Sequence, residues 1–341
     1  MSNFVIMKQM KLWMLATILT FARKLQNGMR KLIYIFVWLL AVGLCASCNQ
    51  TDKQVVSDDS DSTALKLALL PTVDCMPFYY ADSVGLFDSL GVKVKLITFE
   101  AAMDADTAFA KGHTDGIVSD LVKACIWQEN GDSVRIAMTG QLRLWLITAL
   151  NARLLKTLSI KEKIIGITRN SAVDYVADQL LASVKLQSID LNKPQINNLK
   201  LRTLMVDQNQ YDGAILPEPF ASEAVARGGK RLTGSDELKV GDLLCVLFND
   251  STYQVRKAEI GLIQKAYDQA VAALNADSTS NLLNYLPQKH ALYVPDTLFT
   301  RSPLSPSSQP NDSTLQKVKA WAQGRGLIPQ QRGAIHNKTK Q

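Results

Sequence analysis

Histidine is scarce in this chain, which has three among 341 residues. The histidines lie far apart in the sequence, at His113, His290 and His336. Metal centres and histidine-based catalytic sites need several such ligands or bases at short spacing. We therefore expect no metal site, and no metal or redox cofactor.

Cysteine is also rare beyond residue 48, where three remain: Cys75, Cys125 and Cys245. An odd number at wide spacing does not form a disulfide framework, and no Cys-x-x-Cys pair occurs among them. Two interpretations remain open, namely buried free thiols or a single bridge.

The sequence lacks the glycine-rich and nucleophile motifs of common enzymes. It contains no Gly-x-Gly-x-x-Gly, no Gly-x-x-x-x-Gly-Lys-Ser/Thr and no Gly-x-Ser-x-Gly. These motifs cradle phosphates or expose a catalytic serine, so their absence removes the commonest nucleotide-binding and hydrolase sites. We predict no catalytic residue and do not expect an enzyme.

Most of the chain also lacks an excess of positive charge. The formal net charge is +7, but six bases and no acid lie in residues 1–48, and elsewhere bases outnumber acids by one. Nucleic-acid binding needs a positive field over the binding surface. We therefore expect no nucleic-acid partner. The whole chain has 47% hydrophobic residues, and the part beyond residue 48 is long enough to build a substantial core.

The N-terminal segment has the layout of an export signal. Residues 32–44 form an uncharged apolar run, preceded by Arg30 and Lys31 and followed by Ala46, Ser47 and Cys48. A basic region, an apolar region and a small-residue exit are typical of a secretory signal. The run is short for a membrane span. A signal that starts at Met29 has normal proportions, so we expect translation to begin there.

The segment Ala46-Ser47-Cys48 resembles the lipobox of bacterial lipoproteins. This resemblance implies that residues 1–48 are removed and that Cys48 receives a lipid. The alternatives are an ordinary signal peptide or a membrane anchor. Residues 49–63 are polar and acidic, which predicts a flexible tether. Residues 329–341 are polar and basic, which predicts a mobile tail.

Hydrophobic patterning predicts an α/β body in which strands alternate with helices and the sheet is mostly parallel. The predicted strands cover residues 65–70, 92–99, 116–118, 134–139, 142–150, 164–168, 214–216 and 243–248. The predicted helices cover residues 78–86, 101–111, 121–128, 173–184, 220–227, 258–274 and 315–323.

Polar loops follow several of these strands. In parallel sheets, ligands bind where the carboxyl ends of strands meet the N-termini of helices. Ser171 begins a predicted helix, whose free N–H groups favour a polar or anionic group, although it could equally be only a helix cap. Glu218 lies between two prolines and could accept hydrogen bonds from a ligand amine, or cap the next helix. The candidate ligand-binding residues are Thr72, Val73, Asp74, Met76, Ser119, Asp120, Thr168, Asn170, Ser171, Ala172 and Glu218.

Six segments resemble, in order, the substrate-binding proteins of ABC importers, and most closely the sulfonate, nitrate and thiamine-precursor group. Residues 76–87 (MPFYYADSVGLF) resemble the first strand–helix unit of that family. The other matching segments are residues 108–118, 165–171, 212–222, 265–267 and 321–328. The resemblance as a whole covers roughly residues 64–328.

The resemblance implies the type 2 periplasmic-binding-protein fold, with two α/β lobes and a ligand cleft between them. It places residues 64–147 and 236–328 in the first lobe and residues 148–235 in the second, with a two-segment hinge. It also implies a monomer in the cell envelope, lipid-anchored on the periplasmic or extracellular face. Its partners would be a small organic solute and the permease and ATPase of an ABC importer. Glu218 and Asp74 favour a solute with an amine or N–H group.

Two other interpretations remain open. Enzymes of pyrimidine-precursor and menaquinone synthesis resemble these binding proteins, but the former need a cysteine-rich iron segment and a reactive histidine that this chain lacks. A surface protein that binds a ligand for sensing, without a permease, would have the same sequence features.

Overall fold

The computed structural model describes residues 63–152, 159–277, 282–287 and 302–330. The predicted signal segment with Cys48, nearly all of the predicted tether and residues 331–341 of the predicted tail lie outside these ranges. Within them, no helix is both long and apolar enough to cross a bilayer.

Nine strands of the described residues form two separate sheets. The first has five strands in the order β2-β1-β3-β9-β4. They are β1 (Leu65–Leu69), β2 (Val94–Thr98), β3 (Gly116–Asp120), β4 (Val134–Gly140) and β9 (Leu244–Asn249). The second has four strands in the order β6-β7-β5-β8. They are β5 (Leu144–Thr148), β6 (Ile165–Gly166), β7 (Gly213–Pro217) and β8 (Lys230–Gly234).

Ten α-helices connect or cover these strands within the described residues. Lobe I, as we name the first sheet with the helices packed on it, includes α1 (Met76–Ser83), α2 (Leu86–Ser89), α3 (Ala102–Ala110), α4 (Leu121–Glu129), α8 (Asp250–Val255) and α9 (Lys257–Ala276). Lobe II comprises residues 144–152 and 159–234 and includes α5 (Ala172–Ser183), α6 (Leu199–Asp207) and α7 (Phe220–Ala226). The last helix, α10 (Asp312–Gly324), packs on α4.

The sheets are mixed, which corrects the expectation of a mostly parallel sheet. Strand β1 runs parallel to β2 and β3, and β6 runs parallel to β7. Strand β9 is antiparallel to β3 and β4, and β5 is antiparallel to β7 and β8. The reason is topological: β9 enters the first sheet on the return from lobe II and runs against its neighbours.

In the described part of the chain, the backbone passes between the lobes twice, through residues 141–143 and 235–243. The predicted lobe boundary between residues 147 and 148 falls inside β5, so the first change of sheet comes earlier in the chain than that boundary. The second predicted boundary, after residue 235, falls in the second connection.

Every predicted strand and helix overlaps an observed element. Three elements of five or more residues were not predicted: α6, β8 and α8. Helix α6 has a sequence signal, because Asn198 precedes Leu199 and its side chain accepts a hydrogen bond from the Leu201 amide at 2.9 Å. Asparagine is a preferred N-cap residue. The helix is weakly amphipathic, however, and its periodicity is correspondingly faint.

The two lobes share one apolar core within the described residues. Ile117 and Leu247 of lobe I belong to the same buried cluster as Leu144, Ile165 and Ile215 of lobe II. A second cluster lies on the other face of the first sheet, where Phe78 of α1 packs against Tyr267 of α9 with ring centroids 5.0 Å apart. The lobes are therefore in contact, and the groups between them are shielded from solvent.

Candidate functional site

A cavity of about 80 Å³ lies between the two lobes. Its lobe I wall contains Thr72 after β1 and Asp120 at the end of β3, and its lobe II wall contains Thr168 after β6 and Arg202 on α6. The cavity thus collects loops that follow strands, together with helix N-termini. This is where α/β folds gather ligand-binding groups.

Six of the eleven candidate residues line this cavity, and five do not. The six are Thr72, Ser119, Asp120, Thr168, Ser171 and Ala172. The other five, which are absent from its walls, are Val73, Asp74, Met76, Asn170 and Glu218. Met76 is fully buried in the second apolar cluster. Asn170 has a left-handed backbone, with φ of 54°, directly before the cap of α5.

Asp120 joins the N-termini of two helices from opposite lobes. Its Oδ1 accepts hydrogen bonds from the amides of Lys123 on α4 and Ala172 on α5, both at 3.0 Å. Burial raises the pKa of Asp120 to about 6, although Lys123 and the backbone bonds oppose the shift. A carboxylate at helix N-termini is favoured by the helix dipoles. The α5 N-terminus, predicted to attract a ligand anion, therefore already holds a carboxylate of the protein.

Ser171 caps α5 in addition to lining the cavity. Its hydroxyl donates to the Thr168 carbonyl at 2.8 Å, and its Oγ accepts from the Val173 amide at 3.2 Å. The sequence left open whether Ser171 lines the ligand site or caps the helix, and in the structure it does both. The capping bond uses a lone pair of Oγ, and the hydroxyl proton is used in the bond to the Thr168 carbonyl, so that proton is not available to a ligand.

Lys123 and Asp106 form an ion pair at the lobe I wall. Burial raises the pKa of Asp106, and the neighbouring Lys123 charge opposes the rise. The pair is internally neutral, so Lys123 does not add a free positive charge to the cavity. Neither residue was predicted, because the pairing joins positions 17 residues apart on different helices.

Arg202 is the main site residue that the sequence reasoning missed. Its side chain is 1% exposed and lines the cavity. Its guanidinium donates to the carbonyls of Ile196 and Ile215 and to the hydroxyl of Thr168. Among the described residues, no carboxylate forms an ion pair with it. Burial lowers the pKa of Arg202 to about 9, so it remains positively charged at neutral pH.

Glu218 is engaged within the protein. Its carboxylate forms an ion pair with Arg231 and accepts a hydrogen bond from the Ser222 amide at 3.0 Å. Of the two roles left open by the sequence, the structure shows the helix cap. The Glu218 carboxylate does not reach the cavity wall. The sequence favoured a ligand role because Arg231, which lies 13 residues further on, gives no local signal.

Asp74 also lies outside the cavity walls, at a contact between the lobes. The neighbouring Val73 amide donates to the Glu218 carbonyl at 2.9 Å, and Asp74 Oδ1 accepts from the Arg143 amide at 3.2 Å. Burial raises the pKa of Asp74 to about 7. Its charge therefore changes near neutral pH.

The three cysteines of the body are buried free thiols, which decides between the two interpretations left open by the sequence. Burial raises the pKa of Cys75 to about 12. A protonated thiol is a poor nucleophile. In the described part of the chain, no group of three or more histidine, cysteine or acidic side chains is placed to hold a metal ion.

No protein-family model matches the chain. One curated relative is a Brachyspira hyodysenteriae (strain ATCC 49526 / WA1) protein provisionally named an ABC transporter periplasmic binding protein. It is 22% identical over 297 residues, which cover 75% of this chain and 79% of the relative.

Two solved structures superimpose on most of the chain. The alkanesulfonate-binding protein SsuA from Xanthomonas axonopodis pv. citri, bound to MOPS, has a TM-score of 0.68 at 16% identity and covers 80% of this chain and 96% of its own. The periplasmic nitrate-binding protein NrtA from Synechocystis PCC 6803 has a TM-score of 0.64 at 13% identity and covers 79% and 83%.

All three of these proteins are named as binding proteins, and none as an enzyme. The similarity extends over both lobes of the described structure, at low sequence identity. The chain thus has the periplasmic-binding-protein fold, in which two α/β lobes enclose a cavity.

Proposed function

We propose that this protein is a lipid-anchored solute-binding protein that delivers a small organic solute to an ABC importer. The observation that carries the proposal is the cavity between the lobes, whose walls come from both lobes and include buried charged groups. A site split between two lobes binds its ligand by closure around two connecting segments. Here those segments are residues 141–143 and 235–243.

The names of the similar proteins support the same class of function. The relatives bind alkanesulfonate or nitrate, or are named as components of an ABC transporter. The solute class that we propose for this chain is a sulfonate, a carboxylate or a pyrimidine-like compound, and the name of one similar structure supports the sulfonate. The partners are the permease and ATPase, and the protein acts as a monomer.

A thermal-shift screen of the purified full chain tests solute binding. A ligand that binds only the folded state raises the melting temperature as its concentration increases. The panel contains sulfonates, carboxylates, amino acids, thiamine precursors and nucleobases. We expect at least one saturable response.

Two alanines of α3 provide a matched pair for the same screen. Ala105 lines the cavity and Ala108 does not. Because Ala105→Leu fills part of the cavity, we expect it to weaken binding of the responding solute about tenfold, a loss of about 1.4 kcal/mol. Ala108→Leu leaves binding intact. No response from any solute, or equal binding by both variants, would count against a solute site in this cavity.

Lipid anchoring depends on Cys48, and Cys45 offers a control three residues away. A lipidated N-terminal cysteine anchors the protein through acyl chains buried in the bilayer. In a bacterial host, we expect Cys48→Ser to move the protein from the membrane fraction to the soluble fraction and to remove the acyl mass. Cys45→Ser should change neither. An unchanged fractionation of Cys48→Ser would exclude the lipid anchor at this position.

A further inference from the structure

The guanidinium of Arg202 has donor capacity that the protein does not use. An arginine carries five N–H donors. Nε donates to Ile196, Nη1 donates to Ile215, and Nη2 donates to Ile196 and Thr168. Among the described residues, one N–H of Nη1 therefore has no acceptor, and no carboxylate balances the charge.

Thr168 supplies a second donor beside Arg202. Its hydroxyl oxygen accepts from Arg202 Nη2, and its O–H proton has no acceptor within the described ranges. Thr168 and Arg202 both line the cavity. A buried, unpaired positive charge is unfavourable unless an anion approaches it. The Arg202–Thr168 pair is thus suited to one negatively charged group.

The lobe I wall of the cavity, by contrast, carries a negatively charged acceptor, Asp120. Oδ1 of Asp120 accepts the two helix amides, whereas Oδ2 makes no hydrogen bond to any residue that the structure describes. Lys123, the other cation of the cavity, is already paired with Asp106. A second negative charge on a ligand would be repelled by the Asp120 carboxylate, because no free cation lies there to balance it. A hydrogen-bond donor on the ligand would instead be favoured beside Asp120.

We propose that the cavity selects a small solute that carries a single carboxylate or sulfonate, held by Arg202 and Thr168, and an amine or similar donor that faces Asp120. This inference rests on the proposed function, because it assigns the chemical class of solute for the same cavity. It differs from the expectation from the sequence, in which the ligand amine donated hydrogen bonds to Glu218 and Asp74 rather than to Asp120.

Matched small probes test the anion contact and the amine contact of the proposed solute separately. β-Alanine and taurine carry an amine with a carboxylate or a sulfonate, propionate and ethanesulfonate lack the amine, and propylamine lacks the anion. By calorimetry on the full chain, we expect each zwitterion to bind about tenfold more tightly than its amine-free partner. Propylamine should not bind. The comparison of β-alanine with taurine identifies the preferred anion.

Substitutions at each wall test the assigned contacts. Arg202→Gln and Thr168→Val should each weaken binding of zwitterions and anions alike. Asp120→Asn keeps an acceptor for the two helix amides, and it should remove the preference for zwitterions over anions. Thr168→Val retains the Arg202 charge, so it remains informative if Arg202→Gln folds poorly. Arg231→Gln, an arginine outside the cavity walls that pairs with Glu218, should leave binding unchanged.

The failure of this inference can be told apart from the failure of the proposed function. If the tightest solute is neutral or cationic, or if propionate matches β-alanine and ethanesulfonate matches taurine, the inference is overturned while solute binding stands. Unchanged affinity in both Arg202→Gln and Thr168→Val would likewise overturn the inference and leave solute binding standing. A complete lack of response to these probes and to the wider panel rejects both.

Discussion

Replacing Asp74 with asparagine is expected to stabilise the protein at pH 8 and to leave its stability near pH 4 unchanged. Asp74 is 5% exposed, and its Oδ2 is buried without a hydrogen-bond partner among the described residues. Desolvation is the largest cause of its raised pKa, the Arg143 amide and charge oppose the rise, and the Glu218 charge adds to it. The side chains of Tyr267 and Cys75 also interact with it.

The direction of the pH effect follows from the two pKa values. The folded-state pKa of Asp74, about 7, lies above the value of 3.8 for an unperturbed aspartate. The folded state therefore holds the proton more tightly, and stability falls as the pH rises from about 4 to about 7. An upper limit for this loss is about 4 kcal/mol, because each unit of pKa shift corresponds to about 1.36 kcal/mol. Asparagine does not ionise and should not show it.

Urea unfolding at pH 4, 6, 7 and 8 measures this difference in the free energy of unfolding. Asp120 contributes a slope of the same sign, but its pKa is about 6, so the slope between pH 6 and 7 belongs mainly to Asp74. The control is Asp104→Asn on the exposed face of α3, which should have a small effect at every pH. If Asp74→Asn and the wild type show the same slope in that interval, Asp74 does not titrate there.

The same residue connects stability to the proposed lobe closure. Val73, its neighbour, donates from lobe I to the Glu218 carbonyl in lobe II, and Arg143 lies at the end of the first connecting segment. Ionisation of Asp74 places an unpaired charge at this contact. The contact is therefore stronger with a protonated Asp74, and closure of the lobes should be favoured at lower pH.

Much of the framework of the site could be predicted from the sequence. The strand that ends at Asp120 and the helix that Ser171 caps have clear local signals, namely a short apolar run and a capping residue before an apolar period. Because strand ends and helix N-termini meet at one edge of a sheet, six predicted residues do line the cavity. Their position follows from local patterns combined with a general rule of α/β architecture.

The burial and pairing of the charged side chains in and near the cavity could not be predicted from local sequence in this way. Arg202 lies on α6, whose weak amphipathicity conceals the helix, and its burial depends on β7 packing beside it. The Lys123–Asp106 and Arg231–Glu218 pairs form only in the folded chain. Local sequence shows that a side chain is ionisable, whereas its partner and its burial are set by tertiary contacts.

Replacing Lys193 with methionine is expected to lower the free energy of unfolding by about 3–5 kcal/mol, as loss of one partner from a buried ion pair does. The Lys193 side chain is 8% exposed, and its Nζ lies 2.7 Å from a carboxylate oxygen of Asp174 and of Asp178 on α5. Asp174 is fully buried. After the substitution, the remaining cation is Arg325, which is 3.4 Å from Asp174.

This cluster also joins α5 of lobe II to α10, which packs on α4 of lobe I. Trp321 of α10 donates to Asp178 Oδ2 at 2.9 Å, and Arg325 donates to the same oxygen at 2.8 Å. Burial tends to raise the pKa of Asp178, but the hydrogen bonds from Lys193 and Trp321, together with the charges of Lys193 and Arg325, outweigh burial and lower the pKa. The negative charge of Asp178 is thus a stable part of the contact between the lobes.

Lys161 provides the matched control, since it is also a lysine of lobe II that pairs with an aspartate. Its side chain is 57% exposed, and its Nζ is 3.7 Å from Asp190. An exposed pair of this kind contributes at most about 1 kcal/mol. Urea unfolding of both variants at pH 7 compares them directly, and similar losses in Lys193→Met and Lys161→Met would show that burial does not strengthen the Lys193 cluster. The expected difference arises because only Lys193→Met leaves buried carboxylates short of a cation, at the helix whose N-terminus forms part of the cavity.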